Sequence, residues 1–192
     1  MGQEAGVMRG RPLPHWMRSS AAVDLAQLRA GVRPVIRSQF AGRPDLAKVR
    51  QWVRRRGWYL AVDSHGFFAI GADAAAVRRT LRTDARPGRH MVALGRQLGY
   101  PLCCCLAAAP CLEEGLDAWA MSVSRRPFVG MFKLIHPAGY GAGRALISHV
   151  PCSARCRASL AMALQLDGVG PPKRRPASMT PRGSSAAQPG RL

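Results

Sequence analysis

One stretch decides the fold class of this chain: Trp58-Tyr59-Leu60-Ala61-Val62-Asp63-Ser64-His65-Gly66-Phe67-Phe68-Ala69-Ile70. Two short runs of aromatic and β-branched residues flank the tetrad Asp63-Ser64-His65-Gly66, and these four residue types favour a turn. The stretch therefore predicts a β-hairpin. No other segment of the sequence gives a comparable sheet signal, so we expect one hairpin in a chain that is otherwise helical.

Helical patterns precede and follow this hairpin. Apolar spacing, capping residues and glycine stops predict helices at 21–30, from Pro44 to the stop at Gly57, 73–82, 91–98, 101–109, 112–123 and 153–166. Residues 127–143 hold many apolar side chains among glycines and prolines, and their period does not distinguish a buried strand from an irregular core segment. The prediction is a mostly helical α+β single domain at 18–167, with a flexible arm at 1–17 and a disordered basic tail at 168–192.

The charge of the chain is strongly positive. The 192 residues include 29 Lys and Arg against 10 Asp and Glu, for a net charge of +19, which is typical of proteins that bind polyanions. Nearly all the basic residues are arginine, since the lysines are Lys48, Lys133 and Lys173. A chain also rich in Ala, Gly and Pro suggests a G+C-rich coding sequence, which raises arginine content without selection for polyanions. We therefore expect only weak, non-specific nucleic-acid binding.

The cysteines and the hydropathy of the chain indicate a compartment. Six cysteines in a chain of this length do not resemble a small secreted disulfide framework. The start, Met1-Gly2-Gln3-Glu4-Ala5-Gly6, has no apolar core of a signal peptide. No stretch of about 18 residues stays apolar and uncharged, as a membrane span requires. The sequence predicts a cytoplasmic protein without a membrane partner, whose cysteines are reduced or bind metal.

Two cysteine clusters hold most of the chemical information. They are Tyr100-Pro101-Leu102-Cys103-Cys104-Cys105 and His149-Val150-Pro151-Cys152-Ser153-Ala154-Arg155-Cys156. Pro151 favours a helix that begins directly after it, and the four-residue spacing would then place Cys152 and Cys156 on one face. Backbone N–H groups at a helix start stabilise thiolate, which is both the nucleophilic and the metal-binding form of cysteine.

The first cluster cannot supply all three of its thiols to one ion. Successive helical residues point about 100° apart, so one or two of the run 103–105 can share a site with Cys152 and Cys156. Two of them would complete four thiolates, and His149 in place of one would give a set of three cysteines and one histidine. Both sets suit zinc, and four thiolates also suit an iron–sulfur cluster. Cys105 and Cys111 are further candidates.

These motifs resemble a known family. The combination Leu98-Gly99-Tyr100-Pro101-Leu102-Cys103-Cys104, then Ser148-His149-Val150-Pro151-Cys152 and Cys156, is similar to an uncharacterised archaeal and bacterial domain of unknown function. That family has a Gly-Tyr-Pro-x-Cys-Cys element before a His-x-Pro-Cys-x-x-x-Cys element. The resemblance covers residues 60–165 and implies that five residues act together, namely Cys103, Cys104, His149, Cys152 and Cys156. It implies no activity.

Other residues are weaker candidates. His65 at the hairpin tip and Arg144, after the glycines of Gly139-Tyr140-Gly141-Ala142-Gly143, could contact a ligand or a phosphate. A turn residue and a flexible connection are the plainer interpretations, and the cysteines themselves could be small buried hydrophobes. Three functions stay open: an accessory or enzyme-like metal protein, a nucleic-acid-binding protein with a structural metal site, and a thiol redox protein. The sequence indicates no substrate.

Overall fold

The computed structural model describes residues 13–86, 90–127, 129–140 and 144–167. Within them the chain is a single α+β domain, mostly helical, as the sequence predicts. The elements in chain order are α1 (Ala22–Arg29), β1 (Val35–Gln39), α2 (Leu46–Arg54), β2 (Tyr59–Val62), β3 (Phe67–Gly71), α3 (Ala74–Asp84), α4 (Met91–Gln97), α5 (Leu102–Ala108), α6 (Leu112–Ser124) and α7 (Arg157–Asp167). The predicted basic tail at 168–192 lies outside the described residues.

The predicted hairpin is present as β2 and β3. Its turn is held by Asp63, whose Oδ1 accepts hydrogen bonds from the backbone N–H of His65 at 2.8 Å and of Phe67 at 2.9 Å. Gly66 has φ +80°, a left-handed conformation that glycine adopts without steric cost.

The sheet has a third strand that the sequence did not predict. Strand β1 pairs antiparallel with β3, so that the order is β1-β3-β2 and Ile36 lies opposite Ile70. The expectation of a lone hairpin is therefore wrong. The run Val35-Ile36-Arg37-Ser38-Gln39 has only two apolar residues, too few for a strand pattern, and its extended form is stabilised by pairing with β3.

Both faces of the sheet are covered. Phe68 and Ile70 of β3 pack on one side with residues of α1 and α2, among them Leu25 and Val53. Ala69 points to the opposite side, where it packs with Val35 of β1 and with Val77 and Leu81 of α3. Successive β3 residues thus alternate between two helical layers, as the period of a strand requires.

The predicted arm is wrong for residues 13–17. Trp16 is 4% exposed and Met17 is 3% exposed, and the indole of Trp16 packs edge-on against the rings of Phe40, Trp52 and Phe68. Burying an indole among three rings stabilises the domain through apolar contact area. The ordered domain therefore begins before residue 18, and the remaining residues predicted as an arm, 1–12, lie outside the described ranges.

A second hydrophobic core includes residues of the segment 127–143, whose hydrophobic pattern did not predict its secondary structure. It joins Val123 of α6 and Ala163 of α7 to residues of irregular segments, namely Phe132, Ile135, Leu146 and Ile147. In the described part of 127–143 the chain forms short 3₁₀ helices at Gly130–Leu134 and Pro137–Gly139. The segment is thus an irregular core segment rather than a strand.

A buried polar network connects the two cores. Arg33 pairs with Asp24, and both side chains are almost fully buried. The same guanidinium donates to the backbone carbonyl of Leu98 at 2.7 Å and to Oγ of Ser148 at 2.7 Å. Gln27 adds a hydrogen bond to the carbonyl of Leu146 at 2.6 Å. Because Leu98 and Ser148 stand just before the two cysteine clusters, Arg33 links the two segments that carry those clusters.

Candidate metal centre

Four cysteines from two distant segments converge on one point. The sulfurs of Cys103, Cys104, Cys152 and Cys156 all lie within 4.8 Å of one another. The Sγ of Cys156 is 3.7 Å from that of Cys103 and 3.6 Å from that of Cys104, and the two neighbouring sulfurs are 3.9 Å apart. The predicted convergence of the two clusters is confirmed. The arrangement is compatible with a bound metal ion.

Helix α5 selects two of its three consecutive thiols. The carbonyl of Pro101 accepts from the N–H groups of Cys104 and Cys105, which starts the helix there. Cys103 and Cys104 face the site, whereas the sulfur of Cys105 lies 3.8 Å from the carbonyl oxygen of Tyr100. This division follows from the angle between successive helical side chains.

The second segment reaches the site through a turn, which corrects the predicted helix start at 153. The N–H of Cys156 donates to the carbonyl of Ser153 at 3.1 Å, and α7 begins only at Arg157. Cys152 therefore lies outside the helix, where its N–H donates to the sulfur of Cys104 at 3.4 Å. The four-residue spacing places both thiols at the centre through this turn and not through a shared helical face.

Three of the four thiols, those of Cys104, Cys152 and Cys156, differ in acidity. Burial raises the pKa of Cys104 far above its usual range, and burial together with hydrogen bonding to Cys156 raises the pKa of Cys152 to about 11. Burial also acts to raise the pKa of Cys156, but hydrogen bonds with Ser159, Cys104 and Cys152 outweigh it and lower that pKa to about 7. Cys152 lies outside α7, so the helix start that was expected to lower its pKa does not act on it.

His149 lies beside the thiols but is not one of the converging side chains. Its Nε2 forms a hydrogen bond of 2.8 Å with Oγ of Ser159, and Ser159 in turn lies 3.3 Å from the sulfurs of both Cys104 and Cys156. The imidazole lies against the ring of Tyr100 in a tilted arrangement, with ring centroids 4.9 Å apart. Burial, with the charge of Arg33, lowers the pKa of His149 to about 3. The converging set consists of four cysteines, and His149 contacts it through Ser159.

Ser159 is a site residue that the sequence prediction missed. It is fully buried and contacts two of the four thiols. Its position three residues after Cys156 would place both on one face of a helix, which is the signal that could have identified it. A hydroxyl next to metal-binding sulfur is typical of the hydrogen-bonding groups that orient ligands.

The remaining candidates do not join the four cysteines in the described part of the chain. Cys105 is buried, and burial raises its pKa. Cys111 is half-buried at the start of α6, and His65 is exposed at the hairpin tip. Arg144 is exposed and its N–H donates to the carbonyl of Gly139 at 2.8 Å. The glycines 141–143 of the suggested phosphate loop lie outside the described residues.

Comparisons with known proteins do not indicate a function for this chain, so any proposed function rests on the geometry of the cysteine site. No protein-family model, no curated protein and no solved structure matches the chain. The resemblance to a domain-of-unknown-function family therefore stays a prediction. In the described ranges, every helix is too short or too polar to cross a bilayer.

Proposed function

We propose that this chain is a cytoplasmic zinc-binding protein, in which Cys103, Cys104, Cys152 and Cys156 hold one ion. The observation that carries the proposal is the spacing of the sulfurs. Four thiolates at about 2.3 Å around a tetrahedral zinc lie roughly 3.8 Å from one another. The three sulfur–sulfur distances among Cys103, Cys104 and Cys156 run from 3.6 to 3.9 Å.

The same spacing favours a single ion over an iron–sulfur cluster. A cluster distributes its cysteines over two or four irons, so thiolates bound to different irons lie farther apart than those around one ion. Here all four sulfurs fall within 4.8 Å. Tetrahedral sites of four sulfurs belong to zinc or to iron, and zinc is the ion that proteins most commonly hold in a closed set of four cysteines.

The proposed role of the ion is structural. Catalytic zinc sites keep one position open for water or substrate, whereas a set of four cysteines leaves none. His149, the residue that could have made a mixed set, is engaged with Ser159 instead. The ion would join the start of α5 to the turn ahead of α7, which are far apart in sequence. Such a link adds its binding free energy to the stability of the fold.

Metal analysis with an absorption spectrum tests the proposal, on full-length protein purified without oxygen. We expect one zinc per chain and no absorption in the visible range. Replacement by Co²⁺ should give the intense absorption of a tetrahedral thiolate site. A Cys111→Ser variant is the matched control and should keep the ion. Iron with visible absorption would instead indicate a cluster, and a metal-free folded protein would overturn the proposal.

One observation supports a second candidate, a thiol redox function. Cys156, with a pKa of about 7, is a better thiolate than Cys152, and the sulfur of Cys104 is 3.6 Å away as a resolving partner. Disulfide exchange requires both an accessible thiolate and a nearby second thiol. Cys156 is only 5% exposed, which ranks this candidate below zinc. Titration of free thiols in metal-free protein before and after mild oxidation separates the redox function from the zinc-binding function.

A further inference from the structure

Helix α2 carries an exposed and strongly basic face. The segment 43–58, which contains α2, has six basic residues against one acidic residue, a net charge of +5. The acidic residue is Asp45, which lies 3.8 Å from Lys48 in a pair whose side chains are 51% and 84% exposed. The ion pairs in the described part of the chain involve none of the exposed residues Arg50, Arg54 and Arg55. The face therefore offers positive charge to an anionic partner.

The exposed residues of α2 form two basic rows with an uncharged row between them. Successive helical residues turn by about 100° about the axis, which places Gln51 opposite the buried Val49 and Val53. Ala47 lies one turn before Gln51 and belongs to the same central row. Both central residues are exposed. The flanking rows are Arg50 with Arg54 on one side, and Lys48 with Arg55 on the other.

The stability of the helix does not account for this pattern. The helix dipole favours cations at the C-terminal end, which explains Arg54 and Arg55. Lys48 lies in the first turn, where the dipole disfavours a cation. Arg50 and Arg54 place like charges four residues apart, which also costs stability. A polyanion alongside the face would compensate both unfavourable effects.

The shape of the face fits the major groove of double-stranded DNA. This groove is about 12 Å wide and admits an α-helix. With α2 in the groove, the central row faces the base pairs and the two basic rows face the phosphates of opposite strands. The major groove of an RNA duplex is too deep and narrow for this arrangement.

An anionic membrane fits the same face less well. Helices that bind at a membrane surface insert large apolar side chains between the lipids. Leu46 is 37% exposed, but the helical turn places it beside the buried Val53 and away from the central row. The outer face of α2 therefore has charge without the apolar residues that insertion needs.

We propose that α2 binds double-stranded DNA in the major groove, through contacts of its two basic rows with phosphates of both strands. Phosphate contacts carry no sequence information, so the binding is independent of base sequence. This surface goes beyond the proposed zinc function. Helix α2 packs on the sheet through Val49 and Val53, whereas the four cysteines lie in α5 and in the turn before α7.

Salt-dependent binding measures the contribution of the two rows. Full-length protein is titrated against a short DNA duplex by fluorescence anisotropy at several salt concentrations. A variant with all four basic residues replaced should reduce the slope of log affinity against log salt by about 3.6, at about 0.9 per phosphate contact. Glutamine has nearly the helix propensity of arginine and lysine, so α2 should stay folded. The substitutions are Lys48→Gln, Arg50→Gln, Arg54→Gln and Arg55→Gln.

A matched variant separates this face from the total charge of the protein. Four exposed arginines in α3 and directly after it are replaced, which removes the same charge from another helix. The slope should then change by less than about one phosphate contact. Equal reductions in the two variants would overturn the proposal. The control substitutions are Arg78→Gln, Arg79→Gln, Arg82→Gln and Arg86→Gln.

A modified duplex tests the groove without any variant. Glucosylated 5-hydroxymethylcytosine keeps the phosphates of the duplex but fills its major groove with sugar. This duplex should bind the unmodified protein as weakly as normal DNA binds the α2 variant, and the two changes should not add because they remove the same contacts. Duplex RNA of the same sequence and phosphatidylserine vesicles should bind more weakly than normal DNA. Equal binding of the normal and glucosylated duplexes, or tighter binding of RNA or vesicles, would overturn the proposal.

Discussion

The sulfur of Cys104 lies 3.6 Å from the sulfur of Cys156, although the two residues are 52 positions apart in the chain. Both side chains are buried, at 3% and 5% exposure. A cross-link that closes a loop of this length removes about 4 kcal/mol of unfolded-state entropy in the chain-entropy account. A metal ion at this point would therefore stabilise the fold by restricting the unfolded chain as well as by binding.

Replacing Cys152 tests whether the ion is structural. Cys152→Ser removes one of four thiolates, so we expect loss of the bound zinc and a decrease of several kcal/mol in the free energy of unfolding. Metal content and denaturant titration measure the two effects. Cys111→Ser, outside the four-cysteine group, should change neither by much. If Cys152→Ser lost its ion with stability unchanged, the site would not be structural.

Replacing Ser159 tests the hydrogen bonds behind the thiolates. Ser159→Ala removes the donor to Cys156 while leaving all four sulfurs in place. Loss of such an outer contact typically costs about 10- to 100-fold in metal affinity. Competition with a chelator should show this weakening at unchanged stoichiometry. Ser122→Ala, which removes a hydroxyl on the exposed side of α6, is the control, and equal affinities for the two variants would contradict the assignment.

The sequence predicted most of the centre because local rules determine which cysteines face it. The angle between helical neighbours limits the run 103–105 to two ligands, and α5 uses Cys103 and Cys104. The hairpin was equally local, since its turn depends on Asp63 and Gly66. Features that depend on tertiary contacts could not be predicted from local sequence rules. Strand β1 is stabilised by pairing with β3, and Trp16 is ordered by three distant rings.

The start of α7 was misjudged for a related reason, and spacing did not reveal the contacts of His149. A proline followed by Cys-x-x-x-Cys favours a helix locally, but the N–H of Cys152 is taken by the sulfur of Cys104 and that of Cys156 by the carbonyl of Ser153. From its spacing to Cys152, the sequence predicted that His149 could reach the metal. Its ring instead contacts Ser159 and Tyr100, two contacts that spacing does not reveal.

The pH dependence of metal binding should follow from the different pKa values of the cysteine thiols. Zinc displaces protons from the thiols that are protonated in the metal-free protein, so affinity rises with pH. Near pH 6 the thiols of Cys104, Cys152 and Cys156 all carry protons. Because the pKa of Cys156 is about 7 and that of Cys152 about 11, Cys156 is the one of these three thiols that ionises by pH 8. Proton release from these three thiols should thus fall by about one between pH 6 and 8. Calorimetry in buffers of different ionisation heat measures it, and constant release would contradict the assigned acidities.

The buried pair Arg33–Asp24 should matter far more than a surface pair. Asp24→Asn leaves the guanidinium buried without its counter-charge, which typically costs about 3–5 kcal/mol. The exposed pair Lys48–Asp45, at 3.8 Å, is the comparison, with a Lys48 side chain that is 84% exposed. Lys48→Ala should change the free energy of unfolding by less than about 1 kcal/mol. Urea titration of both variants checks the contrast, and similar losses would show that Arg33 does not depend on Asp24.

Binding to nucleic acid should be weak, and the tail should account for part of it. Residues 168–192 carry five basic side chains and no acidic one, namely Lys173, Arg174, Arg175, Arg182 and Arg191. Each phosphate contact adds about 0.9 to the slope of log affinity against log salt on duplex DNA, so deleting the tail should reduce that slope by at most about 4.5. The deletion should leave the unfolding midpoint nearly unchanged, because the tail has few apolar residues to offset its ordering entropy.

A full-length variant with these five residues changed to Gln is the matched control, and it should reproduce the weakened binding. Salt titrations on two unrelated duplexes measure both strength and selectivity. Tight, sequence-selective binding that survives the deletion would instead establish the folded domain as the nucleic-acid-binding part of the chain.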